Sequence, residues 1–267
     1  MDTRSFIAGP KFMSRIKTYI TKYGNVSLFD NEIFIGIDFS KGLYWEEETL
    51  IKLKKFIDPG KNILEIGAHC GTSSIFYSSL LDDDSTCYAF EPQKKIFELL
   101  ELNIEQNNLQ KKIKCFNKGV FCYTGPGYMN DVDLDGGGGN IERRLTDESN
   151  LPCNFGGVSL GRFGEQVELI TVDDMEIDNI GFIHCDAQGS ESFIFSKAVN
   201  TIEKYRPVIF FENNKKYDNY LYRNVSEAYP RFSAERDFDI TDFCINELAY
   251  SNYKDEFHNK VDTLLIP

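Results

Sequence analysis

No run of basic residues marks this sequence. Of its 267 residues 29 are Lys or Arg against 42 Asp or Glu, a net charge of -13. The Lys and Arg come in short pairs such as Lys94-Lys95 and Lys215-Lys216. A nucleic-acid or anionic membrane surface needs a clustered positive field, so neither partner is expected. The first residues, M-D-T-R-S-F-I-A-G-P, carry no apolar leader core, and no apolar stretch approaches the length that spans a bilayer. The seven cysteines are scattered, with no C-x-x-C and no His at ligand spacing. That excludes a zinc knuckle and a disulfide framework. Cys70, Cys87, Cys115 and Cys185 fall in or beside apolar runs and read as small core hydrophobes. The expectation is a reduced, soluble, cytoplasmic protein, with its oligomeric state left open.

What is present is ample apolar material, 42% hydrophobic residues with 22 Phe and 14 Tyr, and one informative stretch. Asn62–Ile66 (N-I-L-E-I) reads as a buried strand, and Gly67 and Gly71 follow at once. Thr72, Ser73 and Ser74 offer a helix start, with Ile75, Phe76 and Leu80 as its apolar face. A second apolar run, Cys87–Phe90, ends on Glu91 and is stopped by Pro92. Strand, glycine turn, helix, strand and acid make half of a nucleotide-binding α/β unit. Without a Cβ, Gly67 lets the backbone approach a ligand, and the N–H groups at the helix start face it. Glu91, at the tip of the second strand, can accept from two ribose hydroxyls.

The spacing argues about which nucleotide. A dinucleotide site wants a glycine two residues after Gly67 to make room for a pyrophosphate; His69 stands there. Glu65 would also repel phosphate but suits an ammonium group. S-adenosylmethionine has an ammonium, a ribose and no phosphate. E-x-G-x-x-x-G therefore fits it better than NAD. The predicted contacts are Glu65, Gly67, Ala68, His69, Gly71, Thr72, Ser73, Glu91 and Pro92.

Around this unit the pattern predicts a helix over Lys11–Tyr23, one or two strands in Val26–Phe39, and a helix over Tyr44–Ile57 with acids first and lysines last. Residues 1–57 read as a cap on a ligand-binding domain of residues 58–267. A helix over Lys94–Asn107 leads to a strand, Lys112–Asn117, whose tip offers Asn117 to an adenine edge or merely to a turn. Phe121–Glu165, with D-L-D-G-G-G-G-N at its middle, shows no period and reads as a mobile lid over 121–165. Strands follow at Val167–Val172, Gly181–Cys185 and Pro207–Phe211, then a helical segment near Tyr217–Tyr229 and strands near Asp239–Cys244 and Val261–Ile266. The fold class is α/β, a doubly wound and mostly parallel seven-stranded sheet ending in a C-terminal hairpin. Its core strands end on Glu65, Glu91, Asn117, Asp186 and Glu212, and ligands of such sheets bind off those ends.

These residues carry a family likeness. The sequence resembles the class I S-adenosylmethionine-dependent methyltransferases, and most closely the FkbM family. L-E-I-G-A-H-C-G-T-S-S resembles its D-x-G-A-N-x-G, and A-F-E-P-Q its A-F-E-P. H-C-D-A-Q-G-S-E resembles K-I-D-V-E-G-x-E, and R-P-V-I-F-F-E resembles R-P-x-I-x-x-E. The departures are Glu65 for the usual acid, His69 for Asn, His184 for Lys and Gln188 for Glu. The resemblance implies a Rossmann-like fold, S-adenosylmethionine as cofactor, and methylation of a hydroxyl on a sugar, glycan or small metabolite.

A hydroxyl acceptor must lose its proton, so a base or a metal is needed. Candidates are Asp186, His184 and Glu212, with Glu191 read instead as a first-turn helix residue matched to the dipole. A Mg²⁺ held by Asp186, Glu212 and Asn213, as in the similar catechol O-methyltransferase group, is the alternative; metal-free catalysis is preferred. Two other readings stand beside the enzyme: a silent S-adenosylmethionine-binding module and a dinucleotide-dependent oxidoreductase.

Overall fold

The computed structural model describes residues 15–134, 140–146, 151–253 and 261–267. Its centre is a seven-stranded sheet in the order β11-β12-β10-β9-β3-β4-β5. The strands are β3 (Asn62–Ile66), β4 (Cys87–Phe90), β5 (Ile113–Phe116), β9 (Ile180–Cys185), β10 (Val208–Glu212), β11 (Ser251–Tyr253) and β12 (Asp262–Ile266). The five from β5 to β10 run parallel; β12 pairs antiparallel with β10, and β11 with β12. Every residue of β3 is buried, because helices cover both faces of a parallel sheet. Ile63, Ala89, Phe182 and Phe210 pack on one side, against the helices Thr72–Ser78 and Lys94–Gln106. Leu64, Phe90, Ile183 and Phe211 pack on the other, with Ile194, Ile202 and Ile240. The doubly wound, mostly parallel sheet with its C-terminal hairpin is as the sequence predicts. All seven cysteines are free, and six are fully buried. Among the described residues no helix is long and apolar enough to cross a membrane.

Local differences have local causes. Ile16–Ile20 is a strand, β1, not part of a helix over Lys11–Tyr23, whose residues 11–14 lie outside the described ones. It pairs with β2 (Asn25–Phe29). Thr21 N–H bonds to Gly24 O at 3.0 Å and closes that hairpin, a turn that the apolar spacing conceals. After β2 the chain turns into a helix, Ile35–Ser40. Asn103, fully buried on the Lys94–Gln106 helix, docks the hairpin: its Oδ1 accepts Ser27 N at 2.6 Å, and its Nδ2 donates to Ser27 O at 3.0 Å and Cys70 O at 2.7 Å.

The 121–165 stretch is not structureless. β7 (Gly125–Met129) pairs with β8 (Glu165–Ile170), which also pairs with β6 (Gly119–Val120). Phe121, Met129, Val158, Leu160, Leu169 and Phe193 form a third apolar core. Gly127 sits within β7 because a Cβ there would come 2.4 Å from Leu169. The glycines 136–139 lie outside the described residues. Ile240–Asn246 is a helix and not the strand expected over Asp239–Cys244, since the Asp239 carboxylate caps it through Thr241 N (2.9 Å) and Asp242 N (3.1 Å). The penultimate strand of the sheet is instead β11.

Candidate active site

The carboxyl ends of β3, β4, β9 and β10 open into a cleft of about 390 Å³. Gly67, the first residue beyond β3, has φ +85, and a Cβ on it would lie 1.8 Å from the Asp186 carbonyl oxygen. Only glycine lets the β3 and β9 tips come this close. Ala68, His69, Thr72 and Ser73 line the same cleft. Gly71 does not line it; its missing Cβ makes room for Leu100 at 2.6 Å, so it serves helix packing. Glu65 is not on the surface either. It is 1% exposed, and its two oxygens accept from the Ser73 and Ser74 hydroxyls. It anchors the helix start from behind, so it is not a direct ammonium contact.

Glu91 lines the cleft from the tip of β4. Its Oε2 accepts His69 N at 3.0 Å and its Oε1 accepts Gln93 N at 2.8 Å. Burial pushes its carboxyl up to about 7 against the pull of those bonds. Pro92 lines the cleft beside it. Asn117 does not: it is exposed, and its Nδ2 donates to the Glu91 and Pro92 carbonyls, both at 2.9 Å. It is a turn former, and the residues after it, Lys118, Gly119 and Val120, line the cleft. Gln93 Nε2 donates to Phe155 O at 3.0 Å, and Phe155 N to Glu32 at 3.0 Å. The 121–165 segment is thereby tied to both the β4 tip and the cap, and its Met129, Asn154, Gly156, Val158 and Leu160 form an outer wall.

The other end of the cleft is acidic. Asp186, Glu191 and Glu212 bring carboxylate oxygens within 4.8 Å of one another. Gln188 Nε2 donates to Asp186 at 2.8 Å, and Asn214 Nδ2 to Glu212 at 2.8 Å. Glu191 Oε1 accepts Ala187 N at 3.1 Å and Gly189 N at 3.2 Å. Burial, then the charges of Asp186 and Glu191, push Glu212 up to about 9. Burial first, with Asp186 adding, pushes Glu191 up to about 7. Asp262, opposite Glu212 in the β10–β12 register, rises to about 8 through burial and the charges of Glu46 and Asp186. Asn213 does not join this group: its Oδ1 accepts Lys216 N at 3.1 Å, and it lines a separate cavity with Lys215 and Asp239. The oxygen-rich set a hard cation would find is therefore Asp186, Glu191 and Glu212.

His184 lines the cleft beneath these acids, its Nδ1 3.1 Å from the Tyr77 hydroxyl. Burial pushes it down to about 4, so it is neutral at pH 7. Sequence reading missed the mouth. Phe34, Trp45 and Glu46 line it from the cap, and the one signal for them was that Trp45 is the chain's single tryptophan.

A parallel sheet with a glycine turn after its first core strand, an acid on the next tip and acids on the later tips has the architecture of the class I methyltransferases. Residues 65–239 match the family model of the methyltransferase FkbM domain, and the chain belongs to that family. Among solved structures, the methyltransferase FkbM from Methylobacillus flagellatus KT is similar at 14% identity and TM-score 0.49, over 78% of this chain and 44% of that one. The chain thus spans less than half the length of that protein. The O-methyltransferase from Bacillus cereus, solved in complex with SAH, is similar at 13% identity and TM-score 0.42, over 83% of this chain and 80% of that one. These likenesses concern the fold. No curated protein matches the chain.

Proposed function

We propose that the protein transfers a methyl group from S-adenosylmethionine to a hydroxyl of a polyhydroxylated acceptor, a sugar, glycan or small metabolite. One observation carries the reading: a single cleft joins a glycine-turn end bearing Glu91 to an acidic end bearing Asp186 and Glu212, with Trp45 at its mouth. The first end suits an adenosyl ligand. Gly67 leaves the backbone open to close approach, Glu91 has carboxylate lone pairs for ribose hydroxyls, and His69 fills the place a diphosphate would need. Bound there, S-adenosylmethionine contributes a methyl carbon on a sulfonium already activated for in-line displacement.

The chain's own residues supply position and proton transfer. An aromatic face beside carboxylates suits a sugar, whose C–H face stacks while its hydroxyls donate. An ordinary carboxylate is a weak base toward a hydroxyl. Here Glu212 stands in a crowded acid group with Asp186 and Glu191, where burial and their charges raise its proton affinity, so its carboxylate is a stronger acceptor than an ordinary one. Gln188 orients Asp186. His184, neutral and bonded to Tyr77, forms the floor. Two of the departures from the family pattern, His184 and Gln188, thus have a place in the site, which favours an active enzyme over a silent module. Calorimetry with S-adenosylmethionine should show binding, weakened about tenfold or more in Glu91→Ala, and a labelled-methyl screen over glycans and hydroxylated metabolites should yield an acceptor. Heat with NAD and none with S-adenosylmethionine would refute the reading.

A further inference from the structure

The acidic end of the cleft is short of positive charge. Among the described residues Lys118 is the one Lys or Arg that lines the cleft, and its Nζ is spent on Glu168 at 2.7 Å. At the acidic end three carboxylates line it, Glu46 from the cap and Asp186 and Glu212 from the sheet. Glu46 is exposed and makes no hydrogen bond or ion pair among the described residues. Though its side chain reaches water, the protein around it and then the charge of Asp186 push its carboxyl up to about 7. After burial, Glu46 in turn helps to raise Asp262. The cap acid therefore stands within electrostatic reach of the sheet acids. His184 points to a ligand independently. It is 8% exposed and lines the cleft. Its Nδ1 takes the Tyr77 contact, while its Nε2 has no partner among the described residues and is not closed off from solvent. A buried ring with one nitrogen left open leaves a hydrogen bond for a bound molecule to complete. Trp45 and Phe34 add aromatic faces at the mouth, and such faces beside carboxylates favour a cation over a neutral group. The chain's net charge of -13 likewise draws cations in and turns anions away.

We propose that the methyl acceptor is a hydroxylated amine, whose ammonium seats against Glu46 and the Asp186 and Glu212 tips beside Trp45. This rests on the reading of the cleft given above, and it narrows the acceptor from any polyhydroxylated molecule to a cationic one. S-adenosylmethionine carries a sulfonium, an ammonium and a carboxylate, so it brings one net positive charge to an end lined by three carboxylates. A second cation improves that balance. It also prepares the proton transfer. Without a cation beside it, Glu212 is held at about 9 by burial and then the charges of Asp186 and Glu191, and it keeps its proton at pH 7. An arriving ammonium favours the ionised form. Glu212 then releases its proton to water and is free to accept the one from the acceptor hydroxyl.

Trp45, the chain's single tryptophan, reports on the mouth. With the protein saturated with S-adenosylhomocysteine and EDTA present, its fluorescence is titrated with 2-amino-2-deoxyhexoses, their N-acetyl forms, the parent hexoses and hexuronates. The amines should bind about tenfold or more tighter than their neutral counterparts, and the hexuronates most weakly. Glu46→Gln should erase most of that preference, and Glu46→Lys should turn it toward the hexuronates. Neutral hexoses that bind as tightly as the amines, no binding by any amine, or a preference untouched in Glu46→Gln would overturn the proposal. So would tight binding of neutral hexoses that appears only when Mg²⁺ replaces EDTA, since the acids would then serve a metal. Should the variants not fold, the wild-type comparison of each amine with its own N-acetyl form and parent hexose decides alone. Failure of S-adenosylhomocysteine to bind is seen before any sugar is added and overturns the cofactor reading instead.

Discussion

Glu212→Gln should make the ligand-free protein more stable at pH 8.5 and change it little at pH 5.5. In the folded chain burial, then the charges of Asp186 and Glu191, hold the Glu212 carboxyl at about 9; in the unfolded chain it returns to about 4.3. Between those values the folded state keeps a proton that the unfolded chain has released. Stability therefore falls as pH rises through the window. Were Glu212 to titrate alone, the shift would stand for about 6 kcal/mol. The neighbouring carboxyls titrate over overlapping ranges and the cleft admits water, so we expect the neutral variant to gain on the order of 2 kcal/mol at pH 8.5. Gln can still accept from Asn214, so that bond survives.

The other buried groups set where the effect becomes visible. Glu91 and Glu191 at about 7, and Asp262 at about 8, act with the same sign. His69 and His184, both held near 4 by burial, act oppositely: the unfolded chain gains protons there below about 6.5. The two histidines offset only two of the four carboxyls in mild acid, so the net decline begins there, steepens near pH 6.5 and continues to about pH 9. Urea denaturation of wild type and variant across pH 5.5 to 9 measures it. A wild-type stability that is flat or rising over the upper range, or a Gln variant less stable at pH 8.5, would refute the account.

Gly67→Ala places a methyl where the Asp186 carbonyl already stands, at 1.8 Å, on a backbone with φ +85. It should cost about 3 kcal/mol or more and abolish S-adenosylhomocysteine binding; near-native melting would show that the β3–β9 tips separate easily. Hydrogen exchange should find the β7–β8 strand amides protected with or without ligand, and residues 151–163, which have few ladder bonds, slowed by S-adenosylhomocysteine. Protection of 151–163 that ligand leaves unchanged would remove the lid from the reading.

The core strands were legible because a strand covered on both faces must be predominantly apolar, as Asn62–Ile66 and Pro207–Phe211 are. Gly67, Glu91, Asp186 and Glu212 were legible because each stands at a strand tip that opens into the cleft. What a tip does not reveal is which way the side chain turns. Glu65 points back to Ser73 and Ser74, and Asn117 spends its amide on the carbonyls of the neighbouring tip. Glu191 looked like a helix residue and proved to be the third acid, since only the fold brings its carboxylate beside Asp186 and Glu212. Phe34, Trp45 and Glu46 come from the cap, and no periodicity within residues 34–46 could announce that they line the cleft.

The central strand has one late partner. β3 lies between β4, its near neighbour in sequence, and β9, with Glu65 beside His184. A ribosome adding about 5–20 residues each second leaves on the order of ten seconds between the two emerging. Throughout that interval one edge of a strand that is wholly buried in the finished fold stands open, ready to pair with another nascent chain. How well cells make this protein should thus depend on how that edge is shielded during synthesis, by slow-acting chaperones or by cool growth, more than on the stability of the finished molecule.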